Sequence, residues 1–96
     1  MQIRWSPDAA ADLENIVDFI RRDNPATAQR VGRAIYERLM KPQTFPYSGR
    51  PGRVEGTREL PLPPLPFIVV YRVLEHAEAV EIVNLVHGAQ RWPPAS

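Results

Sequence analysis

Apolar positions set the first half of the chain to a helical period. Leu13, Ile16, Val17 and Ile20 recur at i, i+3, i+4, i+7, with Ala9 and Ala10 one turn earlier and Asp12, Glu14 and Asp18 on other faces. Ser6 is an N-cap, Pro7 stands where a helix has no N–H to lose, and Asp8 complements the positive end of the dipole. Asn24-Pro25 repeats the cap-and-proline signal, so the first helix stops near Asp23 and a second begins. That helix carries Ala28, Val31, Ile35 and Leu39 as its stripe, and Lys41-Pro42 is expected to end it. So short a connection makes the pair an antiparallel αα-hairpin whose apolar face needs a cover.

The second half switches to strand patterning. Phe67 to Val73 is apolar, β-branched and of strand length, and Val80 to Val86 is another such run, joined to it by the polar Glu75-His76-Ala77-Glu78. These form a hairpin, with Val80 to Val86 expected as the central pairing strand. Gln2 to Trp5 alternates and reads as a first strand. Thr57 to Leu60 reads as a further strand, which Pro61, Pro63, Pro64 and Pro66 confine to an edge, a bulge or a short pairing. From Pro42 to Gly56 the chain reads as loop, with Phe45 or Tyr47 anchoring it to the core. The order is β-α-α-β-β-β. The expected fold class is α+β, a βααβββ chain with a helical hairpin packed on one face of a small antiparallel sheet and the other face partly open.

Length and composition narrow this further. Ninety-six residues make one domain, 1–96, and 44% hydrophobic residues suffice for its core. No apolar run reaches the roughly 18 residues that span a bilayer, and the start of the chain shows no secretory pattern, so a cytoplasmic location is the expectation. The sequence has no cysteine, which excludes disulfides and thiolate metal sites. A net charge of +1 does not describe a strongly basic polyanion binder. Its distribution is uneven: Asp8, Asp12, Glu14 and Asp18 cluster early, while Arg50, Arg53 and Arg58 face only Glu55 between them. Every cation but Lys41 is arginine, whose planar fork suits carboxylate or phosphate.

Candidate chemistry is correspondingly limited. Two separated histidines form no ligand set, so no metal and no cofactor are expected. Gly49-Arg50-Pro51-Gly52-Arg53 lacks the spacing and following lysine of a nucleotide loop, and neither Ser6 nor Ser48 lies in a nucleophile elbow. What remains is His87, able to act as general acid or base, with Arg50, Arg53, Arg58, Arg72 and Arg91 able to grip phosphates or carboxylates. Plain structural roles stand beside these: a hydrogen-bonded His87, an Arg72 that faces solvent from the sheet, and Trp5 and Trp92 packed as anchors at the two termini.

Taken in order, Ala11-Asp12-Leu13 with Ile16 and Phe19-Ile20, Asn24-Pro25, Phe45-Pro46, Gly49-Arg50-Pro51-Gly52, Thr57-Arg58-Glu59-Leu60, Val70-Tyr71-Arg72 and Val86-His87-Gly88-Ala89-Gln90-Arg91-Trp92-Pro93 resemble the RelE/ParE toxin superfamily along essentially the whole chain. The resemblance implies the toxic half of a type II toxin-antitoxin pair, neutralised by a cognate antitoxin whose C-terminal segment wraps it, with DNA contacted only through that antitoxin. RelE-like members cleave ribosome-bound mRNA with an arginine inside the third strand and a histidine or tyrosine near the C-terminus. Here the strand position before Val-Tyr is the apolar Phe67-Ile68. The ParE-like branch, which inhibits DNA gyrase by protein contact, is therefore favoured, with Arg50, Arg53, Arg58, Arg72, His87, Arg91 and Trp92 as partner-binding residues. The alternative is a RelE-like endoribonuclease with His87 as acid-base group and Arg58 or Arg72 on the scissile phosphate. In either case a partner helix or added strand is expected across the apolar surface left by the hairpin and sheet.

Overall fold

Strand β1 (Gln2–Trp5) leads through Ser6 straight into α1 (Pro7–Arg21), and the cap explains the abruptness of the change. The Ser6 Oγ accepts from the Ala9 N–H at 3.0 Å while donating to the Val83 carbonyl at 2.8 Å, so one hydroxyl starts the helix and ties it to the sheet. Asn24 caps α2 (Pro25–Arg38) in the same way, accepting from the Thr27 N–H at 3.1 Å. The computed structural model describes residues 1–94.

Lys41-Pro42 does not end α2. That helix stops at Arg38, and Pro42 sits inside a short α3 (Met40–Thr44), buried. Proline is accommodated because it falls in the first turn of the new helix, where an N–H has no intrahelical acceptor to lose. Two further expectations are corrected in the segment that follows. It contains a two-residue strand, β2 (Arg50–Pro51), and its aromatic residues do not anchor it: Phe45 and Tyr47 are 64% and 52% exposed. The anchor is Tyr71, wholly buried, whose hydroxyl donates to the Pro46 carbonyl and accepts from the Gly49 N–H, both at 2.8 Å. Gly49 is required there, since a Cβ would lie 2.7 Å from that hydroxyl.

The remaining strands are β3 (Arg58–Pro61), β4 (Phe67–Leu74) and β5 (Ala79–His87), with a single 3-10 turn at Glu75–Ala77 between the last two. The five strands lie in the order β1-β5-β4-β3-β2, so β4 is the middle strand and β5 is interior. Pairing is antiparallel except that β1 runs parallel to β5, which the sequence did not reveal because the partners are the two ends of the chain. As the prolines require, β3 is short and ends at Pro61.

Helices α1 and α2 cover one face. Ala9, Ile35, Leu39, Val69, Tyr71, Val80, Ile82 and Leu85 form the core beneath them, with Ile3, Trp5, Leu13, Ile16 and Val31 packed at its margin. One irregularity decides which way the end of β5 faces. Val70 pairs with Asn84 but Tyr71 with Ile82, leaving Val83 as the extra residue of a bulge. A bulge shifts the alternation by one, so Leu85 and His87 face the helices although Glu81 does not. Asp12 of α1 closes it: its Oδ2 accepts from the Leu85 N–H and the Asn84 amide, both at 2.9 Å.

Candidate partner-binding site

The arginine segment is organised by a residue that is not an arginine. Glu59 on β3 is paired with Arg50 on β2, is only 1% exposed, and carries its carboxylate under the β2–β3 connection. Oε2 accepts the Arg53 N–H at 2.8 Å, and Oε1 receives Arg53 Nη2 at 3.0 Å and Arg50 Nη2 at 3.3 Å. Burial alone would raise the pKa of this carboxyl. The hydrogen bond from the Arg53 side chain outweighs that, and with the Arg53 backbone N–H and Arg50 it holds the group below the usual carboxylate range. Both arginine side chains stay largely in water, 60% and 46% exposed, each with donors to spare.

Arg58, on the same strand, is spent differently. Its Nη1 donates to the Gly49 carbonyl at 2.6 Å, and its guanidinium lies 4.9 Å from the centre of the Tyr47 ring. The Tyr47 hydroxyl in turn donates to Glu75, and that hydrogen bond raises the phenol's pKa. Arg58 therefore fastens the loop to the sheet.

A second surface lies between α1, α2 and the β3–β4 connection. Ile16, Phe19, Ile20, Val31, Leu65 and Phe67 line an open groove of about 490 Å³, with His87 at its rim. Phe19 is 69% exposed, a large apolar side chain held in water. His87 stands edge-on to Phe67 with ring centres 5.8 Å apart, its Nδ1 accepting the Ala89 N–H at 3.0 Å. The tail folds back here as well, Gly88 N–H donating to the Pro66 carbonyl at 2.8 Å.

The residues singled out from sequence thus fall into separate places. Arg50 and Arg53 are brought together on Glu59, and Arg58 is beneath the loop. Arg72 is exposed on the face of β4 that the helices leave bare, while His87 is on the helix side. Arg91 is exposed, and Trp92 is half-buried with its indole N–H enclosed and without an acceptor among the described residues. Sequence reasoning passed over Glu59, Tyr71, Asp12 and Phe19. Two of these left a signal: Glu59 is the one acid on an arginine-flanked strand, and Phe19 lies off the apolar stripe of its helix.

Residues 3–92 match the family described as the ParE toxin of the type II toxin-antitoxin system parDE. Y4kP of Sinorhizobium fredii, whose name carries a provisional toxin assignment, is 39% identical over 92 residues, covering 96% of this chain and 93% of that protein. A solved structure titled as the chromosomal ParDE TA system from P. aeruginosa superimposes with a TM-score of 0.80 at 30% identity, over 91% of this chain and 95% of that one. With the arrangement of two helices on a five-stranded sheet shared as well, the chain belongs to the ParE toxin family of type II toxin-antitoxin systems.

Proposed function

We propose that this toxin stops growth by binding DNA gyrase, with no bond-breaking chemistry of its own, and that a cognate antitoxin silences it by laying an apolar segment into the α1–α2 groove. The observation that carries the first part is the scatter of the acid-base candidates. His87 faces the helix side at one end of β5, paired with Phe67, while Arg72 is five residues further along β4 on the opposite face. Five residues of strand is about 17 Å, far beyond the reach of two groups acting on one phosphodiester. Arg58 is held by the Gly49 carbonyl. A surface of dispersed side chains suits protein contact. The groove supports the second part, because Phe19, Ile16, Ile20 and Val31 expose just the kind of face an amphipathic segment covers.

Induction of the chain in cells without its antitoxin tests this reading. Thymidine incorporation is expected to fall before leucine incorporation does, and co-expression of the antitoxin restores both. Early loss of leucine incorporation with intact DNA synthesis points instead to messenger cleavage and sinks the gyrase reading.

A further inference from the structure

Helices cover only one side of the sheet, and the other side has a charge pattern of its own. Ile3, Trp5, Val73, Tyr71, Val80 and Ile82 belong to the helix-side core, so the alternate positions Arg4, Arg72 and Glu81 lie on the face away from the helices. Register places them in one row: Arg4 pairs with Glu81, and Glu81 with Arg72, across β1, β5 and β4. The neighbouring row pairs Val70 with Glu59 and Glu59 with Arg50, with Arg53 folded over the same carboxylate. Each group reads arginine, glutamate, arginine. Arg4, Arg72, Arg50 and Arg53 are all exposed, whereas Glu81 is half-buried and Glu59 is buried. Among the described residues the ion pairs are Asp18–Arg21, Arg50–Glu59 and Arg53–Glu59, so Arg4 and Arg72 are in no close ion pair there. Their Cα atoms are two strand spacings apart, about 9.5 Å.

We infer that the open Arg4–Glu81–Arg72 row of this face is a second partner surface, distinct from the groove, and that it takes an acidic protein surface with discrete carboxylates at a spacing matching Arg4 and Arg72. It rests on the proposed reading in that the toxin's protein target supplies those carboxylates while the antitoxin occupies the groove. Charge order decides for protein over nucleic acid. A duplex carries a negative charge about every 1.7 Å of axis with both strands counted, a near-continuous negative surface that Glu81, set between Arg4 and Arg72, repels. Separate carboxylates flank Glu81 without touching it, and a donor on the partner can pair with it. Each guanidinium fork can take such a carboxylate bidentately. In the neighbouring row Glu59 holds Arg50 and Arg53 as a pair.

The full chain with Arg4→Glu and Arg72→Glu tests this, with Arg4→Gln and Arg72→Gln as the milder pair should charge reversal disturb the sheet. Three readouts are taken together: growth arrest on induction, affinity for the antitoxin, and binding of a 20-bp duplex across salt concentrations. The inference expects arrest to be lost, or the inducer dose for arrest to rise at least tenfold, with antitoxin affinity unchanged within twofold and no salt-dependent duplex binding. Arrest equal to wild type overturns it. So does antitoxin affinity that falls in step with toxicity, which would assign the face to the antitoxin. Duplex binding by the wild-type chain that weakens steeply with salt and vanishes in the variant overturns the choice of protein over nucleic acid. Should purified gyrase fail to bind the wild-type chain while arrest still depends on Arg4 and Arg72, the face stands and the gyrase target falls.

Discussion

Replacing Glu59 by glutamine keeps the size of a buried side chain and removes its charge, and the structure sets how much that should cost. The carboxylate receives one backbone N–H at 2.8 Å and guanidinium donors at 3.0 and 3.3 Å. Hydrogen bonds to a charged group contribute about 1.5–3 kcal/mol each, which for the two shortest would sum to roughly 3–6 kcal/mol. Two features reduce that figure. Arg50 and Arg53 are largely in water and rehydrate when released, and the amide oxygen still accepts the Arg53 N–H. A loss of about 2 kcal/mol at neutral pH is expected, lowering Tm by roughly 8–16 °C for a domain of this size. The sign of the pH dependence follows from the lowered pKa of Glu59. An acid with a depressed folded-state pKa contributes its stability above its unfolded value, near 4.5, and loses it as pH falls through the folded value. Denaturant unfolding of both proteins between about pH 7 and pH 2 is the assay, and the gap between them should close below about pH 4.5. A gap that stays constant into acid, or a variant as stable as wild type at pH 7, would show that the buried carboxylate does not hold the arginine segment.

Tyr71→Phe removes the hydroxyl that serves Pro46 and Gly49, leaving a buried N–H without an acceptor, and should destabilise by about 2–3 kcal/mol in urea titration. Asp12→Ala strips the carboxylate from the β5 bulge and should cost a similar amount, about 2–3 kcal/mol, with faster hydrogen exchange at Leu85 as its particular mark. Phe19→Glu places a charge in the apolar groove and should weaken antitoxin binding by about 2 kcal/mol or more, roughly thirtyfold in Kd by calorimetry, while leaving Tm near wild type because the side chain is already exposed.

Local signals made much of the fold legible. Ser6-Pro7 and Asn24-Pro25 state both helix starts in adjacent residues, and the runs at Phe67 and Val80 are too apolar and β-branched for anything but buried strands. Features that depend on the distant chain were not legible. The parallel pairing of β1 with β5 joins residues that no local pattern links, and Pro42 reads as a breaker until a new helix is seen to begin two residues before it. The same limit governs the site. By strict alternation His87 would share a face with Glu81 and Arg72 and the three could pass for a catalytic set; the bulge at Val83 sends His87 to the other side. Burial of Glu59 likewise requires knowing that Arg53 folds back over it. Sequence thus indicated which residues carry the charge, and tertiary register decided which of them act together.

The proposed contact with gyrase is tested most directly by supercoiling of relaxed plasmid by purified gyrase, titrated with the toxin. Wild type and His87→Ala should inhibit with the same dose dependence, since His87 lies in the groove and no step requires its proton. Antitoxin added in equal amount should restore supercoiling. Unimpaired supercoiling at excess wild-type toxin, or inhibition that disappears with His87, contradicts the account.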